Sequence, residues 1–278
     1  MKPRVGHIQF LNCLPLYYGL VKSHALLDIE LIKGNPTELN NLLINGELDI
    51  SPISSIEYAR NYKSLMLFPD FTVSSDKEVK SIILLSRFPL DGLSGKKIAL
   101  TSTSATSHVL LKLILSAYNI KPEYFIAPPE PERMLEASDA CLLIGDIALK
   151  YYLNGKSMYV YDLGYEWNKL TGHKMVYAVW AINRDFALNR KELCKYVFDL
   201  FKKSMEYSMN HLQEISDYAE RWEPFSSNSM MEYFRSLHFG FEREYQEGLI
   251  FFYNKAVEIG ELSYVPELDF FDTTSSIR

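Results

Sequence analysis

Along the first two thirds of the chain, short apolar runs rich in β-formers alternate with stretches of helical spacing. The runs at 5–11, 29–33, 49–53, 65–68, 79–86, 97–100, 140–144, 159–163 and 174–182 read as strands. Between them, Leu39, Leu42 and Leu43 behind Thr37 as a helix cap, and Val109, Leu110, Leu113, Ile114 and Ala117, form apolar helix faces. Residues 16–20, 54–60 and 147–152 open further helices, while the prolines around 122 and 128–131 read as loops. From 189 onward the pattern lengthens into amphipathic helices: Leu193, Val197, Leu200, Phe201, Met205, Met209 and Leu212 share one face, and Leu249, Phe252, Tyr253, Ala256 and Val257 another. Repeated β and α segments predict an α/β class. The Pro- and Gly-punctuated stretch 88–95 reads as a hinge. The expected architecture is therefore two lobes, 1–88 with 187–278 and 89–186, crossing near 87–95 and 181–189.

Composition narrows the functions this architecture can serve. With 278 residues, 47% of them hydrophobic and 23% charged, the chain is long enough for a large core and too apolar for disorder. Its net charge of −6 and the absence of a basic cluster argue against a nucleic-acid partner. No run approaches the ~18 apolar residues of a membrane span, and the N-terminus lacks a signal-peptide pattern, so no membrane partner and a cytoplasmic location are expected. Cys13, Cys141 and Cys194 lie too far apart in sequence to suggest a metal knuckle or a disulfide framework, and none of the six histidines sits in a metal-ligand motif. No metal is therefore expected. The C-terminal helices suit either a homodimer or packing between lobes.

The strongest local chemistry is the strand-to-helix turn at 101–107, which includes Ser102, Ser104, Ala105 and Thr106 and carries six hydroxyls where a helix cap needs one. Unpaired amides at a helix start, with hydroxyls beside them, suit a carboxylate or phosphate; an ordinary cap is the plainer reading. The P-loop pattern is missing, which disfavours a nucleoside triphosphate. Asn12 follows the first strand, at the edge where open α/β sheets bind ligands. Ser51, Ser54 and Ser55 cluster at a comparable edge, and Ser74, Ser75, Asp76 and Ser81 form a third polar group. Asp146 follows Gly145 at a strand end and would orient a ligand or cap a helix. His7 is either a base or a satisfied core residue, and Glu57 with Arg60 reads as a helix ion pair. Neither a nucleophile elbow nor a dinucleotide fingerprint occurs. These residues describe a two-lobed α/β protein closing on a small anion, as a binding protein or as an enzyme.

Several blocks go further. Arg4-Val5-Gly6 through Leu11-Asn12 with Pro15, Glu38-Leu39-Asn40, and the run from Asp49 to Ala59 resemble the chorismate dehydratase family of the futalosine route to menaquinone. So do Ser74-Ser75-Asp76 with Val79 and Ser81, Thr101-Ser102 with Ser104 to Ser107, and Leu143 to Leu149. The resemblance covers the first ~180 residues in order. It implies a type II periplasmic-binding-protein-like fold and a cofactor-free hydro-lyase that removes water from chorismate to give 3-[(1-carboxyvinyl)oxy]benzoate. It also implies catalytic roles for Asn12 and Ser81, and carboxylate binding by the 101–107 turn. The sister family, which makes dihydroxynaphthoate, shares the fold and is the alternative enzyme; a non-catalytic small-anion binding protein is the other. Two departures stand out: Phe10 where many relatives have Tyr, and Lys77-Glu78 in place of Gly-Pro beside Ser81.

Overall fold

Strand pairing sorts the chain into two sheets. The computed structural model describes residues 2–155 and 157–274. The first half runs β1 (Arg4–Ile8), α1 (Leu14–Lys22), β2 (Glu30–Gly34), α2 (Pro36–Ile44), β3 (Ile50–Ser54), α3 (Ser55–Asn61), β4 (Leu65–Ser75), β5 (Ile82–Ser86), β6 (Lys97–Thr101) and α4 (Thr106–Ala117). Next come β7 (Glu123–Ala127), α5 (Pro131–Ala137), β8 (Ala140–Ile144), α6 (Gly145–Asn154), β9 (Tyr159–Asp162), α7 (Leu163–Thr171) and β10 (Met175–Asn183). Five helices complete the described chain: α8 (Arg184–Asn189), α9 (Lys191–Asn210), α10 (Leu212–Ala219), α11 (Ser227–Ser236) and α12 (Arg243–Glu258).

One sheet has the order β2-β1-β3-β10-β4 and the other β7-β6-β8-β5-β9. In each, three strands run parallel, and the next, β10 or β5, pairs antiparallel with both neighbours. The chain therefore passes to the second lobe through residues 76–81 and returns through 172–174. These crossings differ from those expected at 87–95 and 181–189: β5 belongs to the second lobe and β10 to the first. In its place in the second sheet β5 is buried on both faces. Ile83 and Leu85 fill one face of the second sheet with Cys141 and Leu143, while Leu84 and Leu142 join the main core on the other. The Gly- and Pro-rich stretch after β5 is a chain reversal inside that lobe, since such residues mark turns of any kind.

Local chemistry sets several element ends. Asn35 caps α2, not Thr37: its side chain accepts from the Glu38 amide at 3.0 Å, while the Glu38 carboxylate accepts from the Asn35 amide at 2.9 Å. The five-residue strand β7, between the prolines read as loops, and the helix α5, which starts at the last of them, are additions to the expected elements. In the first lobe Phe68, Phe71, Phe198, Phe201 and Phe271 meet edge to face with ring centres 5.4–6.3 Å apart. There α9 lies so close to α1 that a Cβ on Gly19 would sit 2.4 Å from the Ser204 carbonyl. The C-terminal helices thus cover the first lobe, and residues 238–240 run beside β4, where Ser74 pairs with His238. Among the described residues no helix is long and apolar enough to cross a membrane.

Candidate active site

Several chain turns converge at the carboxyl ends of the parallel strands, the edge at which open α/β sheets leave room for ligands. From the first lobe come Phe10, Asn12 and Cys13 after β1, Pro36 at the start of α2, and Pro52 and Ser54 of β3. The second lobe contributes Ser104 after β6 and Ile144 and Gly145 between β8 and α6. Val79 and Ser81 of the crossing, with Tyr177 and Ala178 of β10, close the back. Together they line one cleft between the two lobes, the concave setting that small-molecule sites favour. Among the described residues, none lining this cleft is charged.

Hydrogen bonds hold the two lobes against each other around it. The Leu11 amide donates to Asp146 Oδ1 at 2.9 Å, and Thr37 Oγ1 donates to the Ser102 carbonyl at 3.0 Å. Thr106 Oγ1 accepts from the Ile56 amide at 3.2 Å and lies 3.3 Å from Ser55 Oγ, which donates to the Val176 carbonyl. The ring of Phe10 presses on Gly145, whose φ of +67° and missing Cβ permit the contact; a Cβ there would sit 2.9 Å from the ring.

Of the residues singled out in the sequence, Asn12, Ser54, Ser81 and Ser104 come together on the cleft wall. Ser51 is buried with its hydroxyl turned to the Pro52 carbonyl, so tightly that a Cβ on Gly6 would overlap it. Ser55 and Thr106 tie α3 to α4, Ser102 is exposed and latches Thr37 through its carbonyl, and Ala105 packs against the core as the residue preceding α4. Asp146, within the first turn of α6, holds the Leu11 amide and does not cap the helix. Burial, opposed by that amide, pushes the Asp146 carboxyl up from 3.8 to about 6. Arg60 pairs with Glu57 at 2.8 Å as a helix ion pair.

The cleft is rich in neutral donors. Asn12 Oδ1 is buried with no partner among the described residues. Ser107 Oγ donates to Ser104 Oγ at 2.6 Å, so the hydroxyl of this cleft-lining serine, beside the N-terminus of α4, already accepts and keeps its own hydrogen to give to a ligand. His108 Nε2 lies 2.7 Å from the Thr101 carbonyl; because a carbonyl only accepts, this nitrogen carries the hydrogen and fastens the turn. Burial lowers His108 and brings His7 down to about 4, so both imidazoles are neutral near pH 7. It also pushes the Cys13 thiol up to about 12, unsuited to nucleophilic attack.

Two contributors left no local signal. Tyr233, wholly buried on α11, donates to Ser81 Oγ at 2.8 Å, and Tyr177 shares a 2.8 Å hydrogen bond with Ser75 Oγ. Both sit on apolar faces where a tyrosine reads as core.

Two α/β lobes closing on a cleft walled by hydroxyls, an amide and helix starts define a type II periplasmic-binding-protein-like protein. Solved structures agree in fold. A protein from Archaeoglobus fulgidus superposes with a TM-score of 0.77 at 19% identity, over 94% of this chain and 98% of that one. The alkanesulfonate-binding protein SsuA of Xanthomonas axonopodis, solved with MOPS, gives 0.69 at 15% identity over 97% and 96%. A sequence profile described as menaquinone biosynthesis matches residues 3–258. The chorismate dehydratase of Thermus thermophilus is 35% identical over 190 residues, 62% of this chain and 69% of that protein. Its counterpart from Campylobacter jejuni is 31% identical over 196 residues, 69% and 72%. The chain belongs to this menaquinone biosynthesis family, with the chorismate dehydratases.

Proposed function

We propose that the protein dehydrates chorismate to 3-[(1-carboxyvinyl)oxy]benzoate. The observation that carries this reading is the meeting of Asn12, Ser81 and Ser104 in one cleft walled by uncharged donors, in a chain whose relatives bear that enzyme's name. A dicarboxylate is held there by hydroxyls, amides and the N-termini of α4 and α6. The chorismate dianion has a single O–H, on C4, and Asn12 Oδ1 is a buried acceptor in need of a donor. Pairing the two orients the hydroxyl that leaves.

The reaction breaks the C3–H and C4–O bonds. The C3 proton passes to a base, the electrons of that bond enter the ring, and the departing hydroxide takes up a proton to leave as water. No carboxylate or imidazole lines the cleft among the described residues, which supports the substrate's own enolpyruvyl carboxylate as the base. That carboxylate takes the C3 proton and hands it to the hydroxide. Ser81 donates to a carboxylate or to the departing oxygen. Aromatisation supplies driving force, so the protein's task is positioning.

Incubation of the purified protein with chorismate, followed by chromatography with mass detection, tests the reading. The expected result is an aromatic product lighter by one water. Chorismate left intact refutes it: bound but unconsumed chorismate would make the protein a receptor, and turnover of a cyclised futalosine would make it the dihydroxynaphthoate synthase.

A further inference from the structure

Ser81 is fixed from every side. Its amide donates to the Val79 carbonyl at 2.7 Å, closing a three-residue turn around Lys80, which has a φ of +60°. A side-chain-bearing residue rarely takes that conformation unless held in it. The holder is Asp162, whose carboxylate accepts from the Val79 amide at 3.1 Å and the Lys80 amide at 2.6 Å. The Gly145 amide donates to the Ser81 carbonyl at 2.8 Å, tying the residue to the start of α6. The hydroxyl is set last. Tyr233 Oη donates to Ser81 Oγ at 2.8 Å, so the serine oxygen already accepts and its own hydrogen remains to be given away. Among the described residues that hydrogen reaches only the Val79 carbonyl, at 3.3 Å, an oxygen it shares with the Ser81 amide, which donates there at 2.7 Å. So long a bond to a shared, neutral acceptor is readily exchanged for one to an anionic ligand.

We propose that Tyr233 is a positioning residue for the reaction: by donating to Ser81 Oγ from behind, it turns the Ser81 hydrogen into the cleft and commits that serine to the donor role. The inference rests on the dehydratase reading and extends it to a helix far along the chain from the other site residues. Tyr233 touches no substrate; it acts through Ser81.

The test is a double-mutant cycle with chorismate turnover as the readout, on the wild type, Tyr233→Phe, Ser81→Ala and the double variant. Phenylalanine keeps the buried ring, and thermal melting of each variant reports the fold. The expected loss in kcat/KM for Tyr233→Phe is roughly 10- to 100-fold, the effect of one hydrogen bond that matters in the transition state. Its division between kcat and KM should follow that of Ser81→Ala, and the double variant should be no worse than Ser81→Ala alone. A defect of packing alone would instead add to the Ser81→Ala loss, and that result overturns the inference. So does an active wild type beside a Tyr233→Phe variant of equal rate. A wild type that leaves chorismate intact overturns the functional reading, and this inference with it.

Discussion

Asp146 makes the stability of this protein depend on pH in a direction opposite to that of most carboxylates. Burial raises its carboxyl from 3.8 to about 6, so the folded chain holds a proton that the unfolded chain has released. Stability from this group is therefore complete below the unfolded value and is lost as pH rises through about 6. A shift of about two units corresponds to about 3 kcal/mol in all. Of this, about 2 kcal/mol falls between about pH 4.5 and pH 8. At ~2.1 cal/mol/K per residue, a chain of this length unfolds with an entropy near 0.6 kcal/mol/K, so the difference amounts to about 3–4 °C in Tm. Replacing Asp146 by asparagine keeps an oxygen to accept the Leu11 amide and removes the titration. Melting of Asp146→Asn and wild type at matched ionic strength cancels every other group that titrates alike in both. The variant's Tm should gain on the wild type by that amount from the acidic to the alkaline end. A difference that stays flat, or a wild type that gains on the variant as pH rises, would refute the assignment of a raised, half-buried carboxyl at the junction of the lobes.

Asn12→Ala should cut kcat/KM for chorismate by roughly 100-fold or more, the scale of one lost preorganised group; near-normal turnover would remove Asn12 from the reaction. Gly145→Ala places a Cβ 2.9 Å from the Phe10 ring at a φ of +67°, so Tm should fall by about 2–3 °C from backbone strain alone and turnover should drop with it. An unchanged melt would show that the contact yields freely. Thr106→Val leaves the Ile56 amide without its acceptor between α3 and α4, and about 1–3 kcal/mol of stability should go with it; denaturant unfolding reads this, and an unaltered midpoint would contradict it.

Much of this was written locally. The alternation of strands and helices follows from apolar spacing, since each element must bury its own face. The carboxyl-edge positions of Asn12, Ser54 and Ser104 follow from their coming after strands or at strand ends, before turns or helices. The family blocks pointed to Asn12 and Ser81. The strand β7 escaped because Glu123 and Ile126 are exposed and its other residues only half-buried, with prolines on both sides, a pattern that local spacing does not separate from a loop.

Tertiary pairing decided the rest. Nothing within β5 or β10 says which sheet each joins, because an apolar strand fits either core; the choice lies in partners far away, Ala140 to Ile144 for β5 and the whole of β3 with the two ends of β4 for β10. The same holds for the serines, whose residue type is the same whether the hydroxyl meets the cleft, as Ser104 does, or a neighbouring carbonyl, as Ser51 does. Tyr233 lies 152 residues from Ser81 and Asp162 lies 82 from Lys80. Most of the elements and the chemical inventory were legible along the chain, because each is set by residues a few positions apart. Which hydroxyl is loaded, which carboxyl is buried and where the chain crosses between lobes depend on contacts across the whole chain, and only the folded structure decided them.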